Sequence, residues 1–379
     1  FERKELICRM FRELPQLRAS AMISIAFLLC LFCLWLAPPT IAAALPPDGN
    51  RLAFATPDSL ATPPGVEVEY TPLEDRLFRK AKDGRLDGRW LLAIGLAAGG
   101  ERDVSRIERA LGDLEAWERQ IRREVGAAGI RPQAEAVLEF LHAHVLRGEY
   151  RSDASDLSLA LSGGDYNCVG ATALFYCLAE SCGLPVSAAE TPGHVCAFVG
   201  ESDDAFIVET TCRDWLRVAT GRQANRRSTQ TRKFSAAGLA ALFYYNAGAD
   251  LLGEQRFAEA LAANIKALRL DPANLAARSN FLAGLNNWAL ECHGHGDFVR
   301  AVRLLEHGMQ TAPEHRPFRV NYVAVHQRWI ESLVENERYE SALDCLATAR
   351  RAAPEEGYFE SAALEIQRRF LPPVEPLDR

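Results

Sequence analysis

Hydrophobic and polar positions divide the chain into three regimes. Residues 21–37, AMISIAFLLCLFCLWLA, carry no charged side chain. From residue 73 to 147, apolar residues recur at three- to four-residue spacing in LEDRLFRKA, VSRIERALGDLEAWERQIRREV and AEAVLEFLHAHVLR, which predicts helices. Pro132 after Arg131 marks a break, with the proline at the start of the third helix. The pattern then shortens. HVCAFV and AFIVETT are rich in β-branched and aromatic residues and flank the charged turn ESDD, which predicts a hairpin. Beyond residue 236 the helical spacing returns and repeats.

The repeat is visible in single residues. Ala260, Ala301 and Ala342 stand 41 residues apart, and so do Pro272, Pro313 and Pro354. Phe257, Phe298 and Tyr339 keep the same register three residues before each alanine. A small residue lets two helices of a hairpin approach, and the proline stops the second helix before the next unit. Tyr244, Ala247, Gly248, Leu251, Ala260, Asn264, Ala267 and Pro272 stand at the offsets of a tetratricopeptide repeat. The next two units resemble the same repeat with about two extra helical turns before its first helix. Such an array offers a face for a peptide or protein partner. Trp288, Trp329 and Tyr322 read as core residues of the array, and His293 and His295 as solvated turn residues.

The uncharged run has its own meaning. Arg3, Lys4, Arg9, Arg12 and Arg18 precede it, the pattern of a secretory signal or an N-terminal membrane anchor. Its length is at the short end of the roughly 17–25 residues that span a bilayer. Ala42-Ala43-Ala44 suits cleavage, and Met10 suits a start. Pro46, Pro47, Pro57, Pro63, Pro64 and Pro72 mark a spacer. The expectation is a secreted or membrane-anchored protein with its main body on the extracytoplasmic, periplasmic side.

Chemistry concentrates in residues 162–211. Gly163-Gly164-Asp165 makes a turn, Asn167 is an N-cap, and Cys168 opens a helix that Gly183 and Pro185 end. The positive end of a helix favours thiolate, which a cysteine nucleophile requires. A tight turn between Glu201 and Ser202 places His194 opposite Glu209, on one face of the hairpin. Cys168, His194 and Glu209 then form a candidate nucleophile–base–orienter triad.

NCVGATALFYCLAE followed by GLPV, PGHV and an IVETT strand resembles the transglutaminase-like superfamily, in its bacterial branch often joined to tetratricopeptide repeats. The resemblance covers residues 134–215. It implies a papain-like core in which Cys168 is the nucleophile, His194 the base and Glu209 the third member. The sequence departs from the common pattern at Tyr166, where many members carry glycine, and at Glu209, where many carry aspartate. The resulting architecture is an α+β papain-like/transglutaminase-like domain over 73–235, then an all-α tetratricopeptide-type solenoid over 236–368. An N-terminal hydrophobic helix (1–45) and a linker (46–72) come before both. The implied function is cysteine acyl transfer on an amide of a peptide or protein, by a peptidase, amidase or transglutaminase. The alternative is a non-enzymatic adaptor with a relic of that fold.

Composition removes other classes. Lys+Arg 43 against Asp+Glu 50 leaves a net charge of −7, so no broad basic face awaits nucleic acid. No HExxH motif exists, and His142 and His144 are two apart on a helix, so neither pair of histidines makes a metal site. No cofactor is implied. Ten cysteines in 379 residues are too few for a disulfide scaffold. Cys196 shares a face with His194 and reads as structural.

Overall fold

A computed structural model describes residues 61–84, 86–125, 128–191, 193–201, 205–218 and 232–370. The N-terminal apolar segment and its cleavage site lie outside them. Among the described residues no helix is long and apolar enough to cross a membrane.

Local chemistry starts the first helix. The Thr71 hydroxyl accepts from the Glu74 N–H while the Glu74 carboxylate accepts from the Thr71 N–H, a capping box that opens α1 (Pro72–Lys82). Helices α2 (Gly88–Ala98), α3 (Val104–Val125) and α4 (Ile130–Phe140) follow. The period reveals α1 and α3 but not α2, because GRWLLAIGLAA is almost wholly buried and shows no polar face. The third helix, expected to start at Pro132, starts at Ile130 with Pro132 in its first turn. It gives way to a π turn at Leu141–Val145 that carries His142 and His144.

After the short α5 (Leu157–Leu161) comes the central element, α6 (Cys168–Ser181). Asn167 Oδ1 accepts from the Gly170 N–H at 2.9 Å and caps it. Gly183, at φ +87, ends it, and the Leu184 N–H donates back to the Ala179 carbonyl at 2.9 Å. Residues 169–179 are all buried, with α2 on one side and the sheet on another. Gly88 allows the α2 approach: a Cβ there would lie 2.8 Å from Cys177 Cα.

The sheet has four antiparallel strands in the order β3-β2-β1-β4. They are β1 (Val186–Thr191), β2 (His194–Val199), β3 (Phe206–Val208) and β4 (Arg232–Phe234). The expected hairpin is β2–β3, but its register differs from the expected one. Ala197 pairs with Val208 and Val199 with Phe206, so the same register carried onward sets Cys196, not His194, opposite Glu209. The pairing therefore centres one residue later in the chain than expected, and the Gly200 N–H bonds the Pro185 carbonyl at 2.8 Å, extending the β1–β2 pairing past the strand end. The displacement is an even step, so His194 and Glu209 remain on one face, now diagonal to each other.

After α7 (Trp215–Val218) and β4, the chain is helical to residue 370. Helices α8 (Ala236–Gly253), α9 (Phe257–Leu270), α10 (Leu275–Gly294), α11 (Phe298–Thr311), α12 (Arg316–Glu335), α13 (Tyr339–Ala352) and α14 (Gly357–Phe370) pack in sequence. Each second helix, α9, α11 and α13, stops two residues before its proline. Ala260, Ala301 and Ala342 are fully buried. The turns repeat as well. Gln255, Gly296 and Glu337 take positive φ of 61°, 78° and 57°. The N–H of each following residue, Arg256, Asp297 and Arg338, returns to Leu251, Cys292 and Leu333 at 2.8–2.9 Å. His293 lies in the last turn of α10 against Phe298, and His295 in the turn beyond.

Polar ties join the sheet and the helices. Arg232 on β4 bonds Glu190 on β1 and Asp271 at the end of α9. Glu74, only 1% exposed, accepts from Tyr244 Oη and Lys266 Nζ, both at 2.8 Å, and so fastens α1 to α8 and α9. Residues 61–71 run against the repeat helices with a turn at Pro63–Val66, closed by the Val66 N–H on the Pro63 carbonyl at 3.1 Å, and Val66 is buried.

Candidate active site

Three elements bring the expected residues together. Cys168 is the first residue of α6, so its sulfur sits at the positive end of that helix. His194 opens β2, and Glu209 follows β3 directly. His194 Nε2 lies 2.6 Å from Glu209 Oε2, which leaves Nδ1 for the sulfur. The His194 ring and the Val195 backbone N–H stand near enough to the Cys168 sulfur to act on its charge. Cys168, His194 and Glu209 therefore gather at one place. The His194 and Glu209 side chains are 30% and 22% exposed, so the cluster is open to solvent at one side.

The electrostatics follow from those bonds. Burial pushes the Cys168 thiol up, but the His194 hydrogen bond and the Val195 N–H outweigh it, and the thiol falls below its ordinary value. The hydrogen bonds to Cys168 and to Glu209 raise the His194 imidazole to about 10, against a smaller opposing effect of burial. Burial opposes ionisation of Glu209, yet the bonds from His194 and Thr211 hold its carboxyl below the usual range. The shifts on Cys168 and His194 run in opposite directions, the sense that favours a thiolate–imidazolium pair.

A second layer holds the carboxylate. Glu209 Oε1 accepts from the Thr211 N–H at 3.2 Å and the Thr211 hydroxyl at 2.7 Å. The buried hydroxyls of Thr172 on α6 and Thr210 lie 2.8 Å apart, pinning the strand end to the helix that carries Cys168. From the π turn, His142 Nε2 lies 3.0 Å from the Thr210 carbonyl oxygen. Burial lowers the His142 pKa, so at neutral pH the ring is uncharged and donates to that carbonyl.

The sequence pattern misses Tyr150. Its phenol stands beside the Cys168 side chain, and the residue is 46% exposed at the mouth of the site. It arrives there because Tyr150 and Tyr166 form a parallel bridge, with the Arg151 N–H on the Tyr166 carbonyl at 2.9 Å. The two loops nearly touch: a Cβ on Gly148 would lie 2.2 Å from the Gly164 carbonyl oxygen. Tyr166, where glycine is common in the resembled family, is buried and meets the Tyr150 and His142 rings edge-on. No period marks Tyr150; only its place before the Gly163-Gly164 turn hints at it.

Cys196 is a different kind of thiol. It is 4% exposed, its sulfur faces the Ala189 carbonyl at 3.6 Å, and burial pushes it up to about 12. All seven described cysteines are free. Among the described residues no group of His, Cys, Asp or Glu is arranged to hold a metal ion. No model of a known protein family matches the chain, and no curated protein matches it.

Proposed function

We propose that the protein is a cysteine acyl-transfer enzyme with a transglutaminase-like, papain-like core. The carrying observation is the gathering of Cys168, at a helix N-terminus, with the hydrogen-bonded pair His194–Glu209. The Cys168 thiolate attacks an amide carbonyl carbon. A C–S bond forms and the carbonyl electrons move to oxygen. As the N-terminal residue of α6, Cys168 has a backbone N–H outside the intrahelical ladder, and that N–H is the first oxyanion donor. The Tyr150 phenol stands beside the sulfur as the second. Collapse breaks the C–N bond, and the His194 imidazolium gives its proton to the leaving amine. Water or an acceptor amine then attacks the thioester carbonyl, His194 takes the attacking group's proton, and collapse breaks the C–S bond, which restores the Cys168 thiolate and the His194 imidazolium.

Around this site the proposal assigns α8–α14 to tetratricopeptide-type units that recruit a peptide or protein. It assigns residues 1–45 to export or anchoring, which sets the site on the extracytoplasmic side. The test is a peptide-library incubation with and without a fluorescent primary amine. Cleaved or deamidated products, or amine-labelled ones, that vanish in Cys168→Ala support the reading. Products that persist in that variant, or none from any peptide, refute it.

A further inference from the structure

The repeat extends back into the first helical hairpin, α8–α9. Gln255, Gly296 and Glu337 take positive φ at the same point of successive hairpins. On that spacing the residue one repeat before Trp288 and Trp329 is Ala247 on α8. In both later repeats this position carries an indole. Trp288 on α10 meets Gly65: a Cβ there would lie 3.5 Å from the ring. Trp329 on α12, expected in the core, is only partly buried; it stacks with Phe298 at 6.1 Å and lines an open groove. Trp288 and Tyr322, by contrast, are buried as expected.

Ala247 puts only a methyl group where the later repeats have a ring. A cavity of about 470 Å³ lies beside it, bounded by Ala97 and Ala98 at the end of α2, by Leu251 on α8 and by Ala258 and Ala262 on α9. The α9 wall is trimmed in the same way, since Ala258 and Ala262 correspond to Val299 and Arg303 one repeat on. The volume falls within the roughly 300–1,000 Å³ of sites that enclose small ligands or single anchoring side chains.

The charges at the cavity select for sign. Four carboxylates line it, Glu67, Glu69, Glu74 and Glu259, against two cations, Arg102 and Lys266. Glu74 is engaged by Lys266 and Tyr244, and Glu259 pairs with Arg256 at 2.6 Å. Arg102 Nη1 donates to the Ala97 carbonyl at 2.8 Å and the Glu101 carbonyl at 3.2 Å. Glu67 and Glu69 are exposed and bond to no other described residue. An apolar recess with two unpaired carboxylates at its edge is complementary to a ring flanked by positive charge.

We infer that this cavity seats a tryptophan side chain of a partner protein segment that carries lysine or arginine on either side of it. The indole fills the space that Trp288 and Trp329 occupy in their own repeats, and the flanking cations meet Glu67 and Glu69. The inference rests on the reading of α8–α14 as a recruiting array and not on the cysteine chemistry, which thioester formation at Cys168 reports separately in the same preparation.

The experiment is fluorescence anisotropy with the full chain and three labelled peptides, GKWKG, GKAKG and GEWEG. GKWKG is expected to bind about tenfold or more tightly than either of the others, which lack the ring or reverse the charge. Ala247→Trp gives the first repeat the residue of the next two and is expected to weaken GKWKG about tenfold or more. Glu67→Lys combined with Glu69→Lys, at exposed positions, is expected to do the same. Asp344→Lys, in the open groove beside Trp329, leaves binding unchanged. The inference is overturned if GKWKG does not bind, if either control peptide binds as tightly, or if Asp344→Lys weakens binding as much as the double variant. It is also overturned if Ala247→Trp binds like wild type; where that variant shifts thermal unfolding, the double variant decides, and wild-type affinity there overturns it. A partner peptide that binds the array and is undisturbed by Ala247→Trp overturns this seat while leaving the recruiting role intact.

Discussion

Glu209→Gln isolates the step on which the thiolate depends. The carboxylate lies 2.6 Å from His194 Nε2, in a pair whose side chains are 22% and 30% exposed. A hydrogen bond to a charged partner in such a setting contributes about 1.5–3 kcal/mol. At about 1.4 kcal/mol per pKa unit, its loss lowers the His194 pKa by roughly one to two units. The imidazolium is what holds the Cys168 proton off the sulfur. The equilibrium from thiolate–imidazolium to thiol–imidazole therefore moves by the same amount, and the ratio of thiolate to thiol falls about 10- to 100-fold. Gln keeps a neutral hydrogen bond, which favours the lower end. The assay is the rate of Cys168 alkylation by iodoacetamide against pH, followed by peptide mass spectrometry. Wild type is expected to alkylate from below the ordinary thiol range, with the His194 pKa raised to about 10. In Glu209→Gln the rise moves to higher pH, and Glu209→Asp recovers part of the shift. A wild-type profile in Glu209→Gln refutes the coupling.

Three further outcomes are expected. Tyr150→Phe removes the phenol from Cys168 but keeps the ring against Tyr166, so thioester formation slows about 10- to 100-fold with no change in melting temperature; a wild-type rate removes Tyr150 from the site. Cys196, buried and raised to about 12, stays unalkylated in native protein at pH 8 while Cys168 reacts, as site-resolved mass spectrometry reads; equal labelling contradicts that assignment. Glu74→Ala leaves Lys266 and Tyr244 without their buried partner and costs about 2–4 kcal/mol in urea unfolding; a change under about 0.5 kcal/mol shows that the tie carries no stability.

What the sequence reveals depends on which residues carry a local signal. Helix α6 is legible at both ends because Asn167, Gly183 and Pro185 act on their nearest neighbours. The 41-residue spacing is legible because each unit repeats the same alanine, aromatic and proline. Buried helix α2 hides its period, since it has no solvent face to contrast with its core face. Strand β4 is only three residues long and pairs with β1 far back in the chain. Hairpin parity survives while register does not: alternation sets the face, but it does not fix where the turn is centred. Tyr150 is missed for the same reason. It reaches Cys168 through loop–loop contact at Gly148 and Gly164, which no spacing along the chain encodes.

The central claim is that the Cys168 sulfur forms an acyl bond with the help of His194. Incubation of the full chain with p-nitrophenyl acetate, acid quench and localisation of the added acetyl group by tandem mass spectrometry test it directly. The account predicts a thioester on Cys168 that disappears in Cys168→Ala and forms far more slowly in His194→Ala. An acetyl group placed only on other residues, or one forming on Cys168 at the same rate without His194, contradicts it.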